Sequence, residues 1–149
     1  MGALFGNSLD QVRKAVQAFK PKKTGTEAVF RNEFEGYLET TLQVLPKREA
    51  GVPGMGTRLD LYFQHDGWDH IVTIKKGLSE QKVKTLLGEA LILATNWEPR
   101  SGASKTHLMV VVFDLQGTSK EKGYVEPLYK GLARIEREDF QTTIHFCTK

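Results

Sequence analysis

Apolar residues in the first third of the chain recur at helical spacing. Ser8 is a favourable N-cap, and the residues that follow it predict a helix over residues 8–20. The segment PKKTG ends this helix, and Thr24 with Glu27 has the form of a capping box that opens a second helix. The buried face of the second helix is predicted to carry Phe30, Phe34, Tyr37, Leu38, Thr41 and Leu42.

The middle of the chain alternates between apolar and polar residues, as half-buried strands do. After a short extended piece over residues 43–49, the sequences RLDLYFQ (residues 58–64) and HIVTIKK (residues 70–76) predict the two strands of a hairpin. Ser79 is then a suitable N-cap for a long helix that continues to about Asn96.

The last third predicts two more strands with a helix between them. The nearly continuous apolar run HLMVVVFDL (residues 107–115) is typical of a strand covered on both faces. Residues 118–139 predict a helix interrupted around Pro127, and QTTIHFCT predicts a closing strand. We therefore expect one α/β domain over residues 1–149, with its core at about 26–147 and an N-terminal helix over 8–20. Its sheet should be mixed, with about five strands flanked by helices.

The composition is that of an ordinary globular chain and excludes several kinds of site. Of its 149 residues 40% are hydrophobic and 26% charged, with a formal net charge of +3 and a sequence pI near 9.0. Cys147 is the only cysteine, so neither an internal disulfide nor a cysteine-rich zinc site can form. The first residues lack the pattern of a secretory signal, and no segment approaches the roughly 20 apolar residues that span a bilayer. We expect a cytoplasmic protein with no membrane association.

The residues with the clearest chemical meaning lie in the predicted hairpin. Thr73 and Lys75 are two residues apart and therefore project from the same face of their strand. Asp60 lies on the neighbouring strand, where its side chain can converge with theirs. A carboxylate next to a lysine can bind a divalent cation and an anion together.

This arrangement resembles the PD-(D/E)XK nuclease superfamily over residues 26–114. The resemblance lies in the helix, the strand with Asp60, the strand with Lys75 that is followed by Lys76, Gly77 and Leu78, and the next apolar helix. It implies a restriction-endonuclease-like core and a metal-dependent endonuclease in which Asp60 and Lys75 are catalytic. Thr73 departs from the pattern, because it stands where the superfamily has Glu or Asp.

Two explanations of Thr73 remain open. In the first, the domain has lost catalysis and keeps the fold as a module that binds nucleic acid or mediates assembly. In the second, the carboxylate has moved, as in superfamily members that carry it on the following helix about fourteen residues after the lysine. Glu89 is fourteen residues after Lys75 and flanks the apolar stripe of that helix. Pairing of Glu89 with Lys82 or Lys84 is the structural alternative.

The first predicted helix of the core should supply a further carboxylate. Glu33 flanks its apolar face and is the first choice, while Glu27 also points inward but is explained by capping alone.

The resemblance implies a specific set of ligands and partners. Asp60, Glu89 and Glu33 would bind Mg²⁺ or Mn²⁺, and Lys47, Arg58 and Lys76 would contact the phosphates of a nucleic acid. We expect DNA as the substrate, with RNA left open, and superfamily members of this size often form homodimers. A small-ligand protein that uses the glycine-rich residues 50–57 is the least favoured alternative.

Overall fold

A computed structural model describes residues 8–48, 60–97, 103–114 and 123–147 of the chain. Within these residues the helices are α1 (Ser8–Ala18), α2 (Glu27–Leu42), α3 (Glu80–Asn96) and α4 (Val125–Ile135). The strands are β1 (Lys47–Arg48), β2 (Leu61–His65), β3 (Trp68–Lys75), β4 (Lys105–Phe113) and β5 (Phe140–Cys147). None of the helices in the described residues has both the length and the apolar character needed to cross a membrane.

The five strands form one mixed sheet in the order β1-β2-β3-β4-β5. The pairs β1–β2 and β2–β3 are antiparallel, whereas β3–β4 and β4–β5 are parallel because α3 and α4 carry the chain back across the sheet. The carboxyl ends of β3, β4 and β5 therefore lie at one edge of the sheet, next to the start of β2. This edge holds the candidate site.

Both faces of the sheet are covered, and strand side chains alternate between two apolar cores. One core lies under α3 and α4 and includes Tyr62, Ile71 and Val110. The other lies under α1 and α2 and includes Leu61 and Val72, with the Phe30 and Phe113 rings stacked at a centroid distance of 4.1 Å. Burial on both faces explains why β4 is apolar at every position from Leu108 to Phe113.

The predicted fold class, an α/β domain with a mixed sheet of about five strands flanked by helices, is confirmed. Two local predictions were wrong. The N-cap of α2 is Thr26, whose hydroxyl accepts a hydrogen bond from the Val29 N–H, so Thr24 lies outside the helix. Helix α4 is not interrupted at Pro127, because proline in the first turn of a helix removes no intrahelical hydrogen bond.

Candidate active site

Asp60 immediately precedes β2 and is tied to β3 through both its backbone and its side chain. Its N–H donates to the Val72 carbonyl at 3.2 Å, and its Oδ2 accepts from the Ile74 N–H at 2.7 Å. The carboxylate is thus held against the last residues of β3, where the ladder between the two strands ends.

The alternation of side chains along the strands places Asp60, Thr73 and Lys75 on the same face of the sheet. Thr73 and Lys75 share the parity of Ile71, and Asp60 shares the parity of Tyr62, both of which pack under α3. Thr73 is buried, whereas Lys75 is half-buried at the end of its strand. Helix α3 covers this face.

Glu89 extends from α3 toward these residues. Burial raises the pKa of the half-buried Glu89 carboxyl, the nearby Lys75 ammonium lowers it, and the charge of Asp60 raises it further. Glu89 therefore lies within electrostatic range of both residues. Within the described residues it pairs with neither of the lysines that offered a structural alternative. Lys84 lies 3.4 Å from Glu80, and the Lys82 ammonium donates to the Lys76 carbonyl at 2.9 Å.

Several groups act on the ionisation of Asp60. Burial is the largest influence and raises the pKa of Asp60, whereas the Ile74 hydrogen bond and the Lys75 charge lower it. From the first turn of α2, the Glu27 charge raises this pKa and, one helical turn later, the Arg31 charge lowers it. Of the two acidic residues considered on α2, Glu27 is thus the one whose charge reaches Asp60.

Glu33 is engaged elsewhere. Its two carboxylate oxygens accept hydrogen bonds from the Lys22 N–H at 2.8 Å and from the Lys23 N–H at 3.0 Å. Its charge acts on Cys147 at the end of β5, where burial and Glu33 together raise the pKa of the thiol to about 12. The structure therefore brings together Asp60, Lys75, Glu89 and Glu27 around the end of β3, while Glu33 lies toward the end of β5.

The predicted phosphate-binding residues fall in three different situations. Lys47 is exposed on β1 directly opposite Tyr62, and so lies on the same side of the sheet as Lys75. Lys76 is exposed just after β3. Arg58 lies outside the described residues, as does the glycine-rich segment 50–57.

The donor set of the site fits a magnesium ion only if water and substrate complete the shell. Within the described ranges, no group of three or more His, Cys, Asp or Glu residues is placed to hold a metal ion. Asp60 and Glu89 nevertheless supply two hard oxygen ligands, and Mg²⁺ is commonly held by one or two carboxylates together with waters and substrate phosphate oxygens. The protein part of such a site needs no third carboxylate.

A second polar cluster, the histidine network, lies at the opposite end of the sheet and was not predicted. Ser8 Oγ lies 2.6 Å from His65 Nδ1 and 2.9 Å from His70 Nε2, and His70 Nδ1 lies 2.9 Å from His107 Nδ1. His107 Nε2 is 2.6 Å from the Thr143 hydroxyl. Burial lowers the pKa of His70 to about 3 and that of His107 well below its usual range. The network places His70 and His107 in the core as neutral hydrogen-bonding groups.

Comparison with known proteins gives one structural similarity. No protein-family model matches the chain, and no match was found among curated proteins. Among solved structures the chain is similar to SfsA of Pyrococcus furiosus, determined in complex with Ca²⁺, with a TM-score of 0.46 and 16% sequence identity over 87% of this chain and 69% of that chain. A similarity this low transfers neither a function nor a ligand to the chain.

Proposed function

We propose that this protein is a metal-dependent phosphodiester hydrolase that acts on nucleic acid, with DNA as the first substrate to be tested. One observation carries the proposal. A lysine at the end of β3 acts electrostatically on two carboxylates from different elements, Asp60 and Glu89, and burial raises the pKa of both carboxyl groups. Perturbed ionisable groups concentrated at the carboxyl ends of parallel strands are characteristic of catalytic sites in α/β proteins.

Asp60 and Glu89 are the residues that would hold Mg²⁺ or Mn²⁺. Two desolvated carboxylates near each other repel, and a shared divalent cation relieves that repulsion. When bound, the ion would supply Lewis-acid stabilisation to the phosphate oxygen on which charge develops. Glu27 reaches Asp60 electrostatically and takes over from Glu33 as the preferred carboxylate of α2.

Lys75 acts on the attacking water and on the charge of the phosphoryl group. Its ammonium orients the attacking water and stabilises the negative charge that develops on the phosphoryl group. The Asp60 bond to the Ile74 N–H fixes the carboxylate relative to the strand that carries Lys75. The proposed metal ligand Asp60 and the ammonium of Lys75 are therefore held by the same strand. Thr73 is buried and has no carboxylate, so the second carboxylate of the site is Glu89.

An inactive module with the same fold is the second candidate. Thr73 favours it, because a hydroxyl is a poor Mg²⁺ ligand, and so does the absence, within the described residues, of a ready-made group of three metal ligands. Such a module would bind nucleic acid or a protein partner without any need for a divalent ion.

The two candidates are separated by a cleavage assay on supercoiled plasmid, linear duplex, single-stranded DNA and RNA in Mg²⁺, Mn²⁺ or EDTA. The hydrolase should convert at least one substrate in Mg²⁺ or Mn²⁺ and none in EDTA. Binding of the same substrates with no cleavage in either metal would establish the inactive module instead.

A further inference from the structure

The segment Lys20, Pro21, Lys22 and Lys23 between α1 and α2, here called the lysine segment, lies near the carboxyl end of β5, at the same end of the sheet as the candidate active site. We propose that it is a binding site for the phosphate backbone of a nucleic acid, several base pairs away from the scissile bond. The proposal rests on the proposed function and extends it, because it identifies a surface that the substrate contacts outside the active site.

The lysine segment is held in place from both ends. The Phe19 carbonyl, just before the segment, lies 3.1 Å from Nε2 of His145 on β5. At the other end, both oxygens of Glu33 accept the successive N–H groups of Lys22 and Lys23. Two backbone amides that converge on one carboxylate fix the path of the chain, and this fixation lowers the entropy lost when the side chains bind an anion.

The three lysine side chains of the segment are exposed and, within the described residues, form no ion pair with a carboxylate. Glu33 is the acidic residue that contacts the segment, and its oxygens are taken by the backbone. Lys84 and Lys130 differ in this respect, since Lys84 pairs with Glu80 at 3.4 Å and Lys130 pairs with Glu126 at 2.9 Å. Three unneutralised ammonium groups within four residues form a local positive potential that attracts polyanions.

The position of the segment fits a nucleic acid that extends across the sheet edge. Glu33 acts on Cys147 at the carboxyl end of β5, and Phe113 at the end of β4 is packed between Phe19 and Phe30. Neighbouring strands are about 4.8 Å apart, so β5 lies roughly 10 Å from β3 and roughly 15 Å from β2. At about 3.4 Å per base pair, this separation corresponds to three or four base pairs of a duplex. Lys47 lies on the other side of the site, which gives the substrate a positive residue on each flank.

The test measures binding without cleavage, with a fluorescein-labelled 20-base-pair duplex in EDTA and fluorescence anisotropy from 50 to 300 mM salt. The variant Lys22→Gln/Lys23→Gln should bind at least about tenfold more weakly at low salt, and its log–log salt slope should be shallower by about 2, one for each phosphate contact. The matched control Lys84→Gln/Lys130→Gln removes the same charge from paired surface lysines and should bind like the parent.

Glu33→Gln provides the sharper comparison. It makes the protein more positive, so an effect of net charge alone would tighten binding, whereas loss of the two-amide clamp should weaken it several-fold. Unchanged binding and slope in Lys22→Gln/Lys23→Gln, with a parent that binds duplex tightly, would overturn the lysine segment as a site and leave the proposed function standing. A parent that binds no nucleic acid at any salt concentration would overturn both.

Activity gives an independent readout. If the lysine segment contacts phosphates remote from the scissile bond, Lys22→Gln/Lys23→Gln should raise KM for a duplex of 20 base pairs and leave kcat near the parental value. An equal loss in kcat would place the segment in the reaction itself and would contradict the proposal.

Discussion

The carboxylate of Asp60 and the backbone N–H of Ile74 are joined by a 2.7 Å hydrogen bond. This contact ties the start of β2 to the end of β3 and holds the acidic group one residue away from Lys75. It also spares Asp60 part of the energetic cost of burial, since a hydrogen bond to the ionised form lowers its pKa. Burial is still the largest influence and raises the pKa of Asp60, and a desolvated carboxylate gains more from binding a cation than a solvated one does.

The proposal that Glu89 supplies the carboxylate missing at Thr73 can be tested by returning a carboxylate to position 73. Glu89→Ala should lower metal-dependent cleavage by at least about 100-fold, close to the effect of Asp60→Ala, because each removes one hard oxygen ligand. In Thr73→Glu/Glu89→Ala the carboxylate returns to the strand two residues before Lys75, and activity should recover to roughly a tenth of the parental rate. Steady-state cleavage of plasmid measures all four proteins. A double variant no more active than Glu89→Ala would exclude a migrated ligand.

The raised pKa of Glu89 predicts a conflict between stability and function. A carboxyl group whose folded pKa exceeds its unfolded pKa stabilises the fold only at acidic pH, and that contribution is lost as the pH rises through the folded pKa. Glu89→Gln should therefore raise the Tm at pH 7 in EDTA while it lowers cleavage. Mg²⁺ in excess should raise the Tm of the parent by preferential binding to the folded state and have little effect on the variant. Differential scanning fluorimetry measures both, and a lower Tm for Glu89→Gln in EDTA would contradict the prediction.

The two acidic residues of α2 should behave differently. Glu27 acts on Asp60, so Glu27→Gln should lower the pKa of Asp60 and shift the acid limb of the pH–rate profile to lower pH. Glu33→Gln should leave that limb in place, because Glu33 is bonded to the backbone of Lys22 and Lys23. The measurement is the pH dependence of kcat/KM below neutral pH for the parent and the two variants, which shows which glutamate acts on Asp60. A shift with Glu33→Gln and none with Glu27→Gln would restore the original preference.

The histidine network should make stability fall in mild acid. An unfolded His70 binds a proton near pH 6.5, but the folded side chain does so only at about pH 3, so the unfolded state binds more protons between these values. Each such histidine should lower the free energy of unfolding by up to about 1.4 kcal/mol per pH unit as the pH falls below 6. Urea unfolding at pH 7, 6 and 5 should show this slope, and His70→Gln should reduce it. An identical slope in the variant would show that His70 is not the group that titrates.

The periodicity of the sequence was enough to predict the order of elements and the sheet, because strand alternation and the apolar stripe of α3 are both direct consequences of burial on known faces. It also placed Asp60, Thr73 and Lys75 on one face, since their parity along paired strands follows from the hairpin. Glu27 and Glu33 could not be separated in this way. Both flank the apolar face of α2, and the difference lies in tertiary contacts: one faces the start of β2, and the other meets the loop after α1.

The histidine network was invisible for a similar reason. His70 and His107 follow no metal-ligand spacing, and their partners Ser8 and Thr143 come from the two ends of the chain. Parallel pairing of β3 with β4 puts the two histidines directly opposite each other, and that register is not encoded in either strand alone.

The central claim is that Lys75 and its two neighbouring carboxylates form a hydrolytic site, and Lys75→Ala tests it most directly. Removal of the ammonium takes a positive charge away from two desolvated carboxylates, so the Tm in EDTA should fall, and the circular dichroism spectrum at the assay temperature should show that the variant is folded. Plasmid cleavage should be followed for the parent, Lys75→Ala and the surface control Lys84→Ala in Mg²⁺, Mn²⁺ and EDTA. The account predicts cleavage by the parent and by Lys84→Ala that requires metal, and a loss of about 100-fold or more in Lys75→Ala. Parental activity in a folded Lys75→Ala protein would contradict it.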